Sequence, residues 1–268
     1  MTVGFFHIHR PIAGAVLGLG ALGLVAAMAG VGGPALAAGA EPDARPTEPV
    51  SAPTNVWAIS RGGQLYDNWA AVLELDPPER THPAYPAIGK QTGAATWRCK
   101  ECHGWDYKGV DGAYGRGAHF TGIKGVRGVQ DVDPERIVAI LRDRTHRYTE
   151  SMIPPSAARK LALFLSLGQI DMDRYVDRAT KQAHGNPLHG AQFFQTICAN
   201  CHGFDGKEID FSDEDVPEFV GTVATENPWE ALHKIRFGQP GFPMVSLNVL
   251  HVQTQADILA YAQILPVE

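Results

Sequence analysis

At 268 residues the chain exceeds one ordinary domain and suits two small ones, especially once its unusual N-terminus is set aside. Apolar residues make up 44% of it, which excludes both a disordered polypeptide and a multispan membrane protein. A balance of 23 Lys and Arg against 29 Asp and Glu gives a net charge of -6, which argues against nucleic acid as a partner.

From Ile12 to Ala38 the sequence is almost wholly Ala, Gly, Leu and Val behind a start that carries Arg10, and it ends in Ala35-Leu36-Ala37-Ala38. These are the marks of a secretory signal peptide, assigned to residues 1–38. The apolar run is also long enough to span a bilayer as an uncleaved anchor. Either way the folded part is expected outside the cytoplasm, in the periplasm, with no integral span in the mature chain once the leader is removed. Residues 39–56, with Pro42, Pro46, Pro49 and Pro53, read as an extended tether.

The first folded domain is expected over 57–172. Its opening helix follows Arg61-Gly62-Gly63, with Leu65, Trp69 and Val72 on one side, and stops before Pro77-Pro78. The passage from there to Cys99, with Pro83 and Pro86, reads as an irregular loop. Trp69 and Trp97 are expected in the core.

Cys99-Lys100-Glu101-Cys102-His103 then sets two thiols and an imidazole together, and Cys198-Ala199-Asn200-Cys201-His202 repeats the pattern. All four cysteines of the chain are used in these two boxes. Thiols at i and i+3 share one face of a helical turn, where they can form thioethers to the two vinyl groups of a single porphyrin. The following histidine can then ligate the iron. Two covalently bound haem c groups are therefore expected. A zinc site shared by both pairs is the bland alternative, disfavoured by the separation of the pairs and by the histidine that ends each.

Asp133-Pro134 reads as an N-cap with proline in the first helical position, ahead of Ile137, Ile140 and Leu141. Met152-Ile153-Pro154-Pro155 leads to a helix with Leu161, Phe164 and Leu165 inward, closed at Gly168. Residues 173–185 are assigned as a linker and 186–268 as a second domain. There Asn186-Pro187 and Asn227-Pro228 each start a helix, and a last helix is expected to begin at a Thr254-Gln255-Ala256-Asp257 capping box. Residues 124–160 are relatively basic and 205–218 acidic, which reads as solvated surface or as two docking ends.

Each half runs haem box, glycine-containing loop, Asx-Pro helix, methionine near proline, and apolar helix. After the leader there are three methionines, Met152, Met172 and Met244, and two of them fall at matching places. A thioether sixth ligand is therefore expected from Met152 opposite His103 and from Met244 opposite His202. The alternatives are His146 or His119 in the first half and His233 or His251 in the second, although His233 reads as structural.

Both halves resemble class I cytochrome c domains. The second resembles them more closely, through Gly190-Ala191-Gln192-Phe193-Phe194, Cys198 to Gly203, Ile235-Arg236-Phe237-Gly238-Gln239-Pro240, Pro243-Met244 and Ile258-Leu259-Ala260-Tyr261. In the first half Gly63-Gln64-Leu65-Tyr66 is similar to the family's first helix, but a long insertion separates it from Cys99. The resemblance implies an all-α fold of two tandem cytochrome c-like domains with loop-rich insertions, in each of which the first and last helices cross. It also implies electron transfer with redox protein partners, a dehydrogenase donor and a cytochrome or oxidase acceptor. The alternative is a dihaem oxidoreductase, acting on peroxide or a small anion at a haem whose sixth ligand can leave, with Arg142, Arg144 and Arg147 near the site.

Overall fold

The computed structural model of the chain describes residues 53–212 and 216–268. The leader, most of the tether and the acidic triplet Asp213-Glu214-Asp215 lie outside the described residues. Within them the chain is helical, and its β-structure is two isolated bridges, Gly109 with Lys124 and Val176 with Ala183. No helix among the described residues is long and apolar enough to cross a membrane.

Helix α1, Pro53–Leu73, starts inside the stretch read as tether, with a proline at its first position, where a missing N–H costs nothing. Ile59, Leu65, Tyr66 and Trp69 bury its inner side. It kinks at Asn68, whose backbone leaves the helical region and whose side chain accepts from the amide of Ala71 at 3.2 Å. The loop that follows is pinned rather than loose. Trp97 donates its indole N–H to the carbonyl of Arg80 at 2.7 Å, Trp69 donates to that of Trp97 at 2.9 Å, and both rings are buried as expected.

The short helix α2, Cys99–His103, carries the first box and ends at Gly104, whose φ of 79° few other residues could adopt. Helix α3, Pro134–Leu141, has Asp133 as its cap, the carboxylate accepting from the amide of Glu135 at 2.8 Å. Helix α4, Pro155–Leu163, runs on into a π-turn over Phe164–Gly168. In the second half α5, Pro187–Phe193, is capped by Asn186, whose side-chain oxygen accepts from Leu188 and His189. It also runs into a π-turn, Phe194–Cys198, which delivers the second box on α6, Ala199–His202. Helix α7, Val220–Glu226, has no counterpart in the sequence reading. Helix α8, Pro228–Phe237, is capped by Asn227 as expected.

The last helix, α9, spans Val252–Ala262 and begins ahead of the expected capping box. Thr254 and Asp257 are buried inside it instead. The Asp257 carboxylate accepts from the amide of Asn186 at 2.8 Å and from His189 Nδ1 at 2.6 Å. It thereby joins α9 to α5 rather than capping α9.

The first and last helices of each half pack on one another, α1 on α4 and α5 on α9. Both crossings are made at a glycine. A Cβ on Gly62 would collide with the carbonyl of Lys160, and one on Gly190 with that of Asp257. The halves also share a core, because α8 of the second packs on α1 of the first. The His233 ring lies 4.9 to 6.0 Å from those of Tyr66, Tyr107, Phe164 and Phe237. Its Nε2–H donates to the carbonyl of Gly63 at 3.0 Å, and its Nδ1 accepts from the hydroxyl of Tyr107 at 2.8 Å. Asp67, fully buried, pairs with Arg98 and with Lys234 of α8. The stretch between the halves is likewise folded in: Met172 and Val176 are buried, and Asp173 bonds Lys108 at 2.5 Å and Arg178 at 2.6 Å.

Candidate functional site

Cys99, Cys102 and His103 open onto a cavity of about 690 Å³, within the size range of small-molecule and cofactor sites. Its apolar walls come from distant parts of the first half: Tyr66 of α1, Val126 and Val129 of the loop, Ile137 and Leu141 of α3, and Leu165 of the π-turn. His82 and Ala84 of the insertion complete the lining, so the loop wraps the site as its position before the box suggests.

His103 is half-buried and its Nδ1–H donates to the carbonyl of Lys124 at 2.8 Å. That bond fixes the tautomer and leaves Nε2 with its lone pair free, the arrangement a metal-ligating histidine uses. Burial lowers its pKa to about 4, against a smaller opposite pull from the Lys124 carbonyl, so the ring is neutral at physiological pH. Burial also pushes both Cys99 and Cys102 up to about 12. These are protonated thiols in an apolar wall rather than thiolates poised for redox exchange.

Cations also line the cavity. Arg98 and Lys108 in its lining already have carboxylate partners, Asp67 for one and Asp171 and Asp173 for the other. Arg127, which also lines it, keeps a buried guanidinium nitrogen, Nη1, without a hydrogen-bond partner. That atom has almost no surface open to the cavity, so it is not placed to meet a group bound there.

The expected sixth ligands divide. Met152 is half-buried against the core, outside the lining of the cavity. His119 is also outside it, stacked on Tyr114 at 4.8 Å and bonded through Nδ1 to Glu101 at 3.2 Å. His146 does line the cavity, its ring centre 6.3 Å from that of His103. In the second half His233 has both nitrogens bonded within the protein, which removes it as a ligand and matches the structural reading. His251 is the exposed residue before the first turn of α9.

The second box is more open. Cys198 is half-buried, Cys201 is exposed, and the His202 ring lies 5.8 Å from that of Phe211. His202 Nδ1 is buried without a partner, unlike its equivalent in the first box. Met244 is half-buried in the loop after α8, its carbonyl packed against Gly238. Phe204, Val216, Phe242, Val245 and Val249 are exposed along the loops that follow the second box and α8, an unusual share of large apolar side chains for polar-facing loops.

The four thiols stay as two pairs, and among the described residues no group of three or more His, Cys, Asp or Glu is arranged to hold a metal ion by itself. The basic stretch does not form an open anion site at Arg142. Its guanidinium is bonded to the carbonyls of Tyr148, Thr149 and Ile153. No protein-family model matches the chain, and no curated protein matches it either.

Proposed function

We propose that the chain is an exported dihaem c-type cytochrome that passes single electrons between a dehydrogenase-type donor and a downstream cytochrome or oxidase acceptor. The observation that carries this reading is the first cavity. Two thiols and a neutral histidine, with Nδ1 held by a backbone carbonyl and Nε2 left over, line one apolar chamber of about 690 Å³.

A covalently held haem would supply reversible one-electron chemistry at its iron. The chain's own residues would do the rest. Cys99 and Cys102 would carry the two thioethers and His103 would ligate the iron. The apolar wall keeps water from the centre and so tunes its potential. Cys198, Cys201 and His202 would hold the second haem together with Met244. The glycine-mediated crossing of α1 on α4 and of α5 on α9 supports reading each half as a cytochrome c-like unit. The role calls for no substrate pocket, only for two closed iron centres and docking surfaces for redox proteins.

The test is to produce the full chain with a working haem-attachment system and count covalent haem by the alkaline pyridine spectrum of the denatured protein. Two per chain are expected, falling to one in both Cys99→Ala/Cys102→Ala and Cys198→Ala/Cys201→Ala. A colourless or zinc-containing product would refute the reading.

A further inference from the structure

We propose that the first haem is closed by two imidazoles, His103 and His146, with Asp143 as the positioning residue that orients His146. The inference rests on the haem reading above and departs from the methionine expected on that side.

The spacing comes first. The two rings line the same cavity with centres 6.3 Å apart and planes inclined by 30°. Two metal–imidazole bonds of about 2.0 Å, each extended by the step from nitrogen to ring centre, sum to roughly 6 Å. The separation of the two ring centres is thus the one that a single metal ion held by both rings would need. Each ring also presents the same nitrogen. His103 commits Nδ1 to the carbonyl of Lys124, and His146 commits Nδ1 to the Asp143 carboxylate at 3.2 Å. Nε2 is left over on both, and a carboxylate behind a ligating imidazole is the usual outer partner in such sites.

The loop is built to hold His146 in place. The same Asp143 oxygen accepts from the amides of Thr145 and His146, both at 2.8 Å. Arg142 gathers the carbonyls beyond the turn, and Arg147 takes the left-handed conformation at φ 59° that reverses the chain after the histidine. From the insertion, His82 donates Nε2–H to the carbonyl of His146 at 2.8 Å, while its Nδ1 accepts from the amide of Ala84 at 3.1 Å. Met152, whose amide donates to the carbonyl and hydroxyl of Thr149, packs against the core and does not line the cavity. An imidazole pair lacks the soft thioether that favours ferrous iron, and the Asp143 carboxylate makes His146 a stronger donor still. A first centre held by these two rings would therefore be lower in potential than one held by a histidine and a methionine.

The experiment is a redox titration of the holoprotein, followed optically and by electron paramagnetic resonance, after covalent haem has been counted. In Met152→Leu, both ferric spectra and both potentials stay as in the wild type. His146→Met adds a sulfur-to-iron charge-transfer band and raises the potential of the first centre. Asp143→Asn raises it by less and adds no band, a shift that a purely structural role for the carboxylate would not cause. If His146→Met does not mature, Met152→Leu decides alone. Loss of a charge-transfer band or a new high-spin ferric signal in Met152→Leu overturns the assignment. Absence of covalent haem at Cys99 and Cys102 in the wild type instead overturns the haem reading on which it rests.

Discussion

His233 shows how one side chain couples the two halves to pH. Both of its nitrogens are bonded inside the protein, one as donor to Gly63 and one as acceptor from Tyr107, so the ring has no room for a second proton. Burial lowers its pKa from the ordinary 6.5 to about 3. The unfolded chain takes up a proton on this residue as pH falls through 6.5, and the folded chain refuses it until about 3. Stability is thus full above the unfolded value and is lost through that window, at up to about 1.4 kcal/mol per pH unit. His82, lowered mainly by burial, acts in the same direction. Denaturant titrations between pH 4 and 6.5 should show this slope reduced in His233→Gln, which keeps a donor and an acceptor but does not titrate; an unchanged slope would place the acid sensitivity elsewhere. The residue scale is also where the sequence is most and least legible. The two boxes of paired thiols and a histidine can be read because the pattern is local in sequence. Whether Met152 or His146 reaches the cavity cannot be read, because it depends on how Asp143, Arg142 and His82 fold the loop, and those bonds join residues up to 64 positions apart.

At the scale of the element, the starts of α3, α5 and α8 are visible in the sequence for a local reason. An Asx side chain caps the first turn and the proline after it has no N–H to lose. The start of α9 is not, because Thr254 and Asp257 satisfy the capping-box pattern while their side chains are drawn into the core by α5, a tertiary demand that local sequence does not carry. The π-turns after α4 and α5 are also hidden, since nothing in Phe164–Gly168 or Phe194–Cys198 marks the change of winding. The crossings carry a prediction of their own. Alanine in place of Gly62 or Gly190 would gain about 1 kcal/mol of helix propensity, but the new Cβ meets backbone rather than a side chain that could move. Overpacking of this kind costs about 1–3 kcal/mol, so both substitutions should lower stability. Thermal or denaturant unfolding of each variant measures the difference, and a stabilised Gly190→Ala would mean that α5 and α9 stand further apart than described.

At the scale of the whole molecule the halves behave as one body. Tyr66, Tyr107 and Phe164 from the first share a core with Leu232 and Phe237 from the second. The sequence suggests a divide over 173–185 because that stretch is polar, yet it is tied to both sides: Asp173 pairs with Lys108, Arg178 donates to the carbonyl of Asp111, and Lys181 donates to that of Glu226. Asp67 holds the junction. Burial alone would raise its carboxyl, but the cations of Lys234 and Arg98 outweigh that and keep it below the usual carboxylate range. Replacing it by Ala strands two cations beside a dry core, a loss of about 3–5 kcal/mol for a buried pair. In Asp67→Ala the denaturation midpoint should therefore fall while unfolding remains a single transition. Two resolved transitions would show that the halves stand independently. The same junction sets an order of assembly. Arg98 is at hand once the first box is made, but Lys234 lies close to the end of the described chain, so the second of the two cations that face Asp67 arrives only after nearly all of it has been synthesised. Until then α1 lacks the ion pair that ties it to α8, and the first half is held at that point by its own residues alone.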